Sequence, residues 1–174
     1  MIKLQIKKVR EDAIMPTQAH SGDMVDVYAA EDTVVNSFES TIIPLGIAMN
    51  IPEGYRIKLF SRSSLPLKKK IVISNSVGII DTGYKNELGL ICHSLPNLKD
   101  VEVFEYKPGD NNSNMESSDY YLADKILINN PVEIKKGDKI AQFQLEKIVD
   151  LELEEVQEID MSNDRGGGYG STGN

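Results

Sequence analysis

The chain has no tryptophan, one cysteine and two histidines in 174 residues. A single thiol, Cys92, excludes an internal disulfide and suits a reducing compartment. Its expected role is that of a small buried apolar residue. His20, His93 and one cysteine are too few for a zinc site built from His and Cys ligands. No apolar run approaches the roughly 18 residues of a membrane span, and "MIKLQIKKVR" lacks the apolar centre of a signal peptide. A cytoplasmic protein with no membrane association is therefore expected. Cations are also short, 19 Lys and Arg against 27 Asp and Glu, for a formal charge of -8. That balance argues against direct nucleic-acid binding, which needs a broad basic footprint. A few local cations can still hold a small anionic ligand.

What is present is a series of short β-prone runs. Ile2, Leu4 and Ile6 alternate with polar residues at the period of a strand. "TIIPLGIAMN" and "YRIKLF" flank the turn-forming "IPEG", and "KIVIS", "ELGLICHSL", "DKILIN" and "KIAQFQLEKI" continue the pattern. Turn residues in "DTG", "NNP" and "KKGD" separate them. No long amphipathic helix is predicted, although "SSLPLKKK" has room for a turn or two. The pattern predicts an all-β sandwich, barrel or jelly roll of single-domain size. Residues 107–119 are polar and turn-rich and read as an exposed excursion. In "DLELEEVQEID" the acidic residues read as the solvated face of a strand.

Three stretches carry candidate chemistry, each with an ordinary reading beside it. The glycine-rich end offers backbone amides for an anion nest, with hydroxyls from Ser171 and Thr172 and a guanidinium from Arg165. It lacks the lysine and the following helix of a Walker loop, and by itself it also reads as a solvated flexible end. "SRSS" places Arg62, Ser63 and Ser64 after a strand, either as a phosphate grip or as a surface turn. Lys68, Lys69 and Lys70 beyond it read as solvated. "GIIDTGYKNE" presents Asp81 from a hairpin, either as a general base for water or as a turn-forming aspartate.

Taken together, "VDVYAA", "SRSS", "GIIDTGYKNE", "GDKIAQF" and "RGGGYGSTG" resemble, in order, the five motifs of the trimeric dUTPases. The step from Arg62 to Asp81 also matches that family's usual spacing. The resemblance implies an antiparallel jelly roll, residues 1–163, with a flexible C-terminal arm, residues 164–174, closing over the site. It implies a homotrimer with sites at subunit interfaces, and hydrolysis of dUTP to dUMP and pyrophosphate by water attack on the α-phosphorus. Asp81 matches the aspartate that activates the water. Asp26 matches the aspartate that holds Mg²⁺ through water. Arg62, Ser63, Ser64, Gln142, Arg165, Gly170, Ser171 and Thr172 match phosphate-binding positions. Asn75, Gly78, Ile79, Ile80, Tyr84 and Gly89 match the nucleoside pocket, and Tyr169 matches the aromatic that stacks on the base.

Departures from the family pattern are Met24 and Ser64 for glycine, Pro66 for glycine or alanine, and Asn86 for glycine. Asn86 is expected to tolerate positive φ and so preserve the turn. The arm is one residue shorter than the common form. Residues 96–124 read as an insertion of the kind found in phage-type members, with "VEVFEY" and "DYYLAD" as an extra hairpin. That extension is either a tolerated surface feature or the docking surface of a regulatory protein partner. The rival enzyme is a dCTP deaminase-related protein on a similar fold, against which the glycine-rich arm and "DTGY" both speak.

Overall fold

The structure, a computed structural model, describes residues 2–37, 39–95, 131–164 and 166. Its elements are β1 (Gln5–Lys8), β2 (Val25–Tyr28), β3 (Thr33–Val35), β4 (Thr41–Pro44), β5 (Ile47–Asn50), β6 (Tyr55–Ser61), α1 (Ser64–Lys69), β7 (Ile71–Ile73), β8 (Gly78–Ile80), β9 (Gly89–Ser94), β10 (Val132–Ile134) and β11 (Lys139–Lys147). Every named strand pair is antiparallel. The sheets run β2-β11-β6-β8, β4-β9-β7, β1-β5 and β10-β3. This is the antiparallel jelly roll that the family resemblance implies, one of the three all-β architectures the short runs allow. None of its described helices is long and apolar enough to cross a membrane.

Alternation decides which faces meet. Ile57 and Leu59 on β6 stand opposite Leu145 and Phe143 on β11. Ile43, Leu90, Cys92, Ile71 and Ile73 turn inward from the β4-β9-β7 sheet. Residues of both sheets, Ile140 of β11 among them, join one buried cluster, with Ile47, Met49 and Ile134 from the remaining strands. The short helix begins at Ser64 after the β6 strand, buries Leu65 and ends where Lys70 takes a left-handed φ of 53°.

Three expectations need correction or a boundary. "DLELEEVQEID" forms no strand: residues 148–158 run without regular structure and are exposed, except for the intermediate Ile148. Among the described residues no backbone pairs with it, and an alternating sequence alone cannot make a strand. Asn86 does not take positive φ; among the described non-glycine residues only Lys70 and Ser76 do. The turn closes through side-chain ties described below, so left-handed backbone is not required there. "VEVFEY", "DYYLAD", "DKILIN" and the whole of the 96–124 insertion lie outside the described residues.

Phe143 is 3 % exposed on a strand paired along both edges. Phe143→Ala is expected to cost about 3–5 kcal/mol, visible as a lower denaturation midpoint. Cys92 is fully buried, and burial pushes its thiol up to about 11. Native protein in mildly alkaline buffer should therefore resist a thiol reagent that labels the unfolded chain at once.

Candidate active site

A cavity of about 220 Å³ opens beside β6, β8 and β9. Its walls are apolar, from Leu59, Ile79, Ile80, Leu88, Leu90 and Ile91, and its polar groups are Asn75, Asp81 and Tyr84. Gly78 and Gly89 complete it, and both keep backbone close to the space. A Cβ on Gly89 would lie 2.6 Å from Ile42 Cγ2, and one on Gly78 would lie 3.3 Å from Leu59 Cβ. All six described residues expected at a nucleoside pocket line this one cavity, and Asp81 lines it with them. A few fixed polar groups in an apolar cleft are the usual form of a small-ligand site.

The loop from Asp81 to Leu88 is short and heavily tied. Tyr84 N–H donates to Asp81 C=O at 3.1 Å, closing the "DTGY" turn. Thr82 Oγ1 donates to Tyr55 C=O at 2.7 Å, fastening the turn to the start of β6. Lys85 Nζ donates to Thr82 C=O at 2.8 Å and to Asn50 Oδ1 at 2.7 Å. The Tyr84 hydroxyl donates to Glu87 C=O at 3.0 Å. Asp81 itself is exposed, and its carboxylate has no hydrogen-bond or ion-pair partner among the described residues. Its acceptors are thus free to meet water.

A second cluster sits on the outward face of the four-stranded sheet. Gln142 on β11 stands opposite Asp26 on β2 and opposite Phe60 on β6. A bulge on β11 between Lys139 and Ala141 shifts the register against β2, so that Ile140 and Ala141 are both buried in succession. In a regular strand Lys139 and Gln142 would face opposite ways. The bulge puts both on the Asp26 side. Lys139 Nζ then donates to Asp26 Oδ2 at 2.9 Å, and Arg62 Nε lies 3.1 Å from Asp26 Oδ1. Asp26 holds the Lys139 ammonium above its ordinary pKa. Gln142 Nε2 reaches Ser61 C=O at 3.4 Å.

Arg62, Ser64, Lys68, Lys69 and Lys139 line a cavity of about 250 Å³ in which Asp138 is the one acid. Lys69 is spoken for, donating to Asp138 Oδ2 at 2.9 Å and Glu133 C=O at 3.1 Å. Ser63 precedes α1, and its hydroxyl makes no capping hydrogen bond. In an acidic chain this is a concentrated cationic recess suited to a small anion.

Within one chain the two clusters stay apart. Their cavities share no lining residue. Asp26 lies on one edge strand of the four-stranded sheet and Gly78–Ile80 form the other, a span of three strand spacings, about 14 Å. Arg165, Tyr169, Gly170, Ser171 and Thr172 lie outside the described residues. Lys139 and Glu87 were not singled out in the sequence reading. For Lys139 the available signal was the broken alternation of "KIAQF", two inward residues in a row.

Comparison with known proteins assigns the fold. The family model for dUTPase matches residues 11–110 and 126–173, and the chain belongs to the dUTPase family. It is 34% identical over 174 residues to the deoxyuridine 5'-triphosphate nucleotidohydrolase of Hydrogenobaculum sp. (strain Y04AAS1), covering 99% of both chains. It is 31% identical over 173 residues to the SPbeta prophage-derived enzyme of that name from Bacillus subtilis, again covering 99% of each. Among solved structures, Staphylococcus bacteriophage 80alpha dUTPase with dUPNHPP superposes with a TM-score of 0.72 at 29% identity, covering 99% of each chain. A point mutant of the dUTPase from the S. aureus phage phi11, reported with a structural Mg(II) ion, superposes with a TM-score of 0.65 at 30% identity over 90% of this chain and 98% of that one.

Proposed function

We infer that this chain hydrolyses dUTP to dUMP and pyrophosphate, and that each site is assembled from more than one copy. The observation that carries the reading is the cavity in which Asp81 joins Asn75, Gly78, Ile79, Ile80, Tyr84 and Gly89 in a chain of the dUTPase family. Asp81 is the general base, taking a proton from the water that attacks the α-phosphorus as the bond to the pyrophosphate oxygen breaks. Its exposed carboxylate, unpaired among the described residues, is free to hold that water. Backbone groups beside Gly78 and Gly89 read the uracil edge. Cytosine would leave buried groups unpaired there, a large penalty. The Tyr84 ring packs on the deoxyribose. Tyr169 stacks on the base from the C-terminal arm, residues 164–174, which closes over the site.

Arg62, Ser63, Ser64 and Gln142 hold the phosphates, with Arg165, Gly170, Ser171 and Thr172 adding donors from the arm. Among the described residues no group of three or more His, Cys, Asp or Glu side chains is placed to bind a metal directly. Asp26 nevertheless fits a water-mediated role. Arg62 and Lys139 approach one oxygen each, and an ionised carboxylate has about four acceptor sites. Asp26 would hold a Mg²⁺ by accepting a hydrogen bond from its hydration shell, and the ion would supply neutralisation of phosphate charge.

The separation of the two clusters supports an assembly in which the nucleoside cavity of one copy meets the cationic recess of another, and the family resemblance makes that assembly a homotrimer. The segment after β11 supports the same assembly. Val149, Leu151 and Leu153 alternate and are 75%, 80% and 92% exposed, an apolar edge that a lone chain leaves in water. The family match omits residues 111–125, within the region read as an insertion, and phage 80alpha dUTPase has been described as controlling transfer of virulence genes by a G protein-like mechanism. A regulatory protein partner for the 96–124 segment is therefore the second reading, compatible with catalysis. Deleting residues 108–118 should spare dUTP turnover, and loss of turnover would count against a separable role.

Asp81→Asn is expected to lower kcat by about 10³-fold while an unhydrolysable dUTP analogue still binds within a few-fold of the parent. Turnover like the parent's would remove Asp81 as the base. In a screen of the deoxynucleoside triphosphates and UTP, pyrophosphate should appear from dUTP alone, and ammonia from dCTP would favour the deaminase class instead. Asp81→Asn and Arg62→Ala chains, each inactive alone, should recover part of the activity when refolded together. No recovery in mixed oligomers would mean that each site is built within one chain.

A further inference from the structure

Glu87 has no part in the reaction described above, yet a side chain and a backbone group from two distant segments converge on its carboxylate. Its carboxylate accepts two hydrogen bonds from the Arg10 guanidinium, Nε to Oε1 at 2.6 Å and Nη2 to Oε2 at 3.2 Å. Oε1 also accepts the backbone N–H of Gly46 at 2.9 Å. Gly46 has a φ of +68°, and a Cβ there would stand 2.6 Å from Ala13 Cβ and 2.9 Å from Ala30 Cβ. Its carbonyl in turn accepts the N–H of Val9 at 2.9 Å. Gly46 and Glu87 thus join the end of β1, the β4–β5 corner and the loop that carries Asp81.

The main chain of Glu87 is tied to residues that line the cavity. Its carbonyl receives the Tyr84 hydroxyl at 3.0 Å. The next residue, Leu88, lines the cavity and is sewn to the same corner, its N–H to Ile47 C=O at 2.8 Å and its C=O from Leu45 N–H at 2.9 Å. A force on the Glu87 side chain therefore moves the acceptor of the Tyr84 hydroxyl.

We propose that Glu87 is a positioning residue for the nucleoside cavity: clamped by Arg10 and Gly46, it holds the carbonyl that orients Tyr84 against the deoxyribose. The inference rests on the dUTP reading above. Stability is a poor reason for the clamp, because its side chains are 33% and 31% exposed and such pairs contribute little. Direction is a better one. A two-point guanidinium–carboxylate pair fixes orientation as a single-point contact cannot. Arg10 also pairs with Glu31, whose side chain is 52% exposed, and this second ion pair supplies a control.

The test is steady-state dUTP hydrolysis by the full-length protein, with melting temperature followed in parallel. Glu87→Ala should raise KM about tenfold, Glu87→Gln about threefold because an amide oxygen still accepts from Gly46, and Glu31→Gln less than about twofold. Tyr84→Phe should raise KM in the parent but add little to Glu87→Ala, since both break the same link. Arg10→Gln, which leaves Glu87 on Gly46, keeps the test open should Glu87→Ala fail to fold, and should raise KM about threefold. The proposal is overturned if melting temperature falls while KM stays at the parent value, or if the Tyr84→Phe and Glu87→Ala effects multiply. A parent protein that leaves dUTP intact would instead sink the substrate assignment, a separate outcome.

Discussion

β11 is paired on one edge with β2, over Lys139–Phe143, and on the other with β6, over Ala141–Lys147, and the arrangement of functional groups depends on that double pairing. A strand with partners on both sides cannot slip by one residue without turning Phe143 and Ala141 out of the core. Register is therefore held by burial, and the bulge before Ala141 is held with it. That one extra residue is what turns Lys139 to the same side as Gln142 and Asp26. The cationic recess follows from a packing constraint in the centre of the molecule and not from local preference at its surface.

The nucleoside side obeys a different logic. Its loop is short, contains no residue of positive φ among Asp81–Leu88, and owes its shape to ties from distant parts of the chain. Thr82 is fastened to Tyr55, Lys85 to Asn50, and Glu87 to Arg10 and Gly46. Such cross-chain ties make a rigid frame, so Asp81 can stay unpaired and solvent-accessible without the loop losing definition. The general-base role proposed for Asp81 calls for both properties together, a fixed position and free acceptors. The glycines at 78 and 89 contribute by leaving out side chains that would crowd Leu59 or strike Ile42.

Charge and exposure complete the picture. A chain of formal charge -8 gathers Arg62, Lys68 and Lys139 around one recess, while acidic residues are spread along exposed segments such as 150–158. Small anions are drawn to a focused cationic site even when the whole molecule repels them. The apolar side chains of Val149, Leu151 and Leu153 are left in water by the single chain.

Much was legible before any coordinates. Period-two alternation and regular turn residues point to antiparallel β structure because a strand's two faces meet different environments. The residues of "GIIDTGYKNE" are contiguous and Gly89 lies just beyond them, so sequence alone could name Gly78, Ile79, Ile80, Asp81, Tyr84 and Gly89 as neighbours, and one cavity holds them. Alternation misled at "DLELEEVQEID", where pattern is present and a pairing partner is not. Lys139 and Glu87 escaped notice for a related reason. The direction of Lys139 depends on a bulge measured against β2, and the role of Glu87 on Arg10, 77 positions away. The sequence by itself determined the strand class and the chemical groups on offer. Only the tertiary structure decided which way each group faces and which distant residue holds it, because register and long-range hydrogen bonds arise when strands far apart in the chain come together.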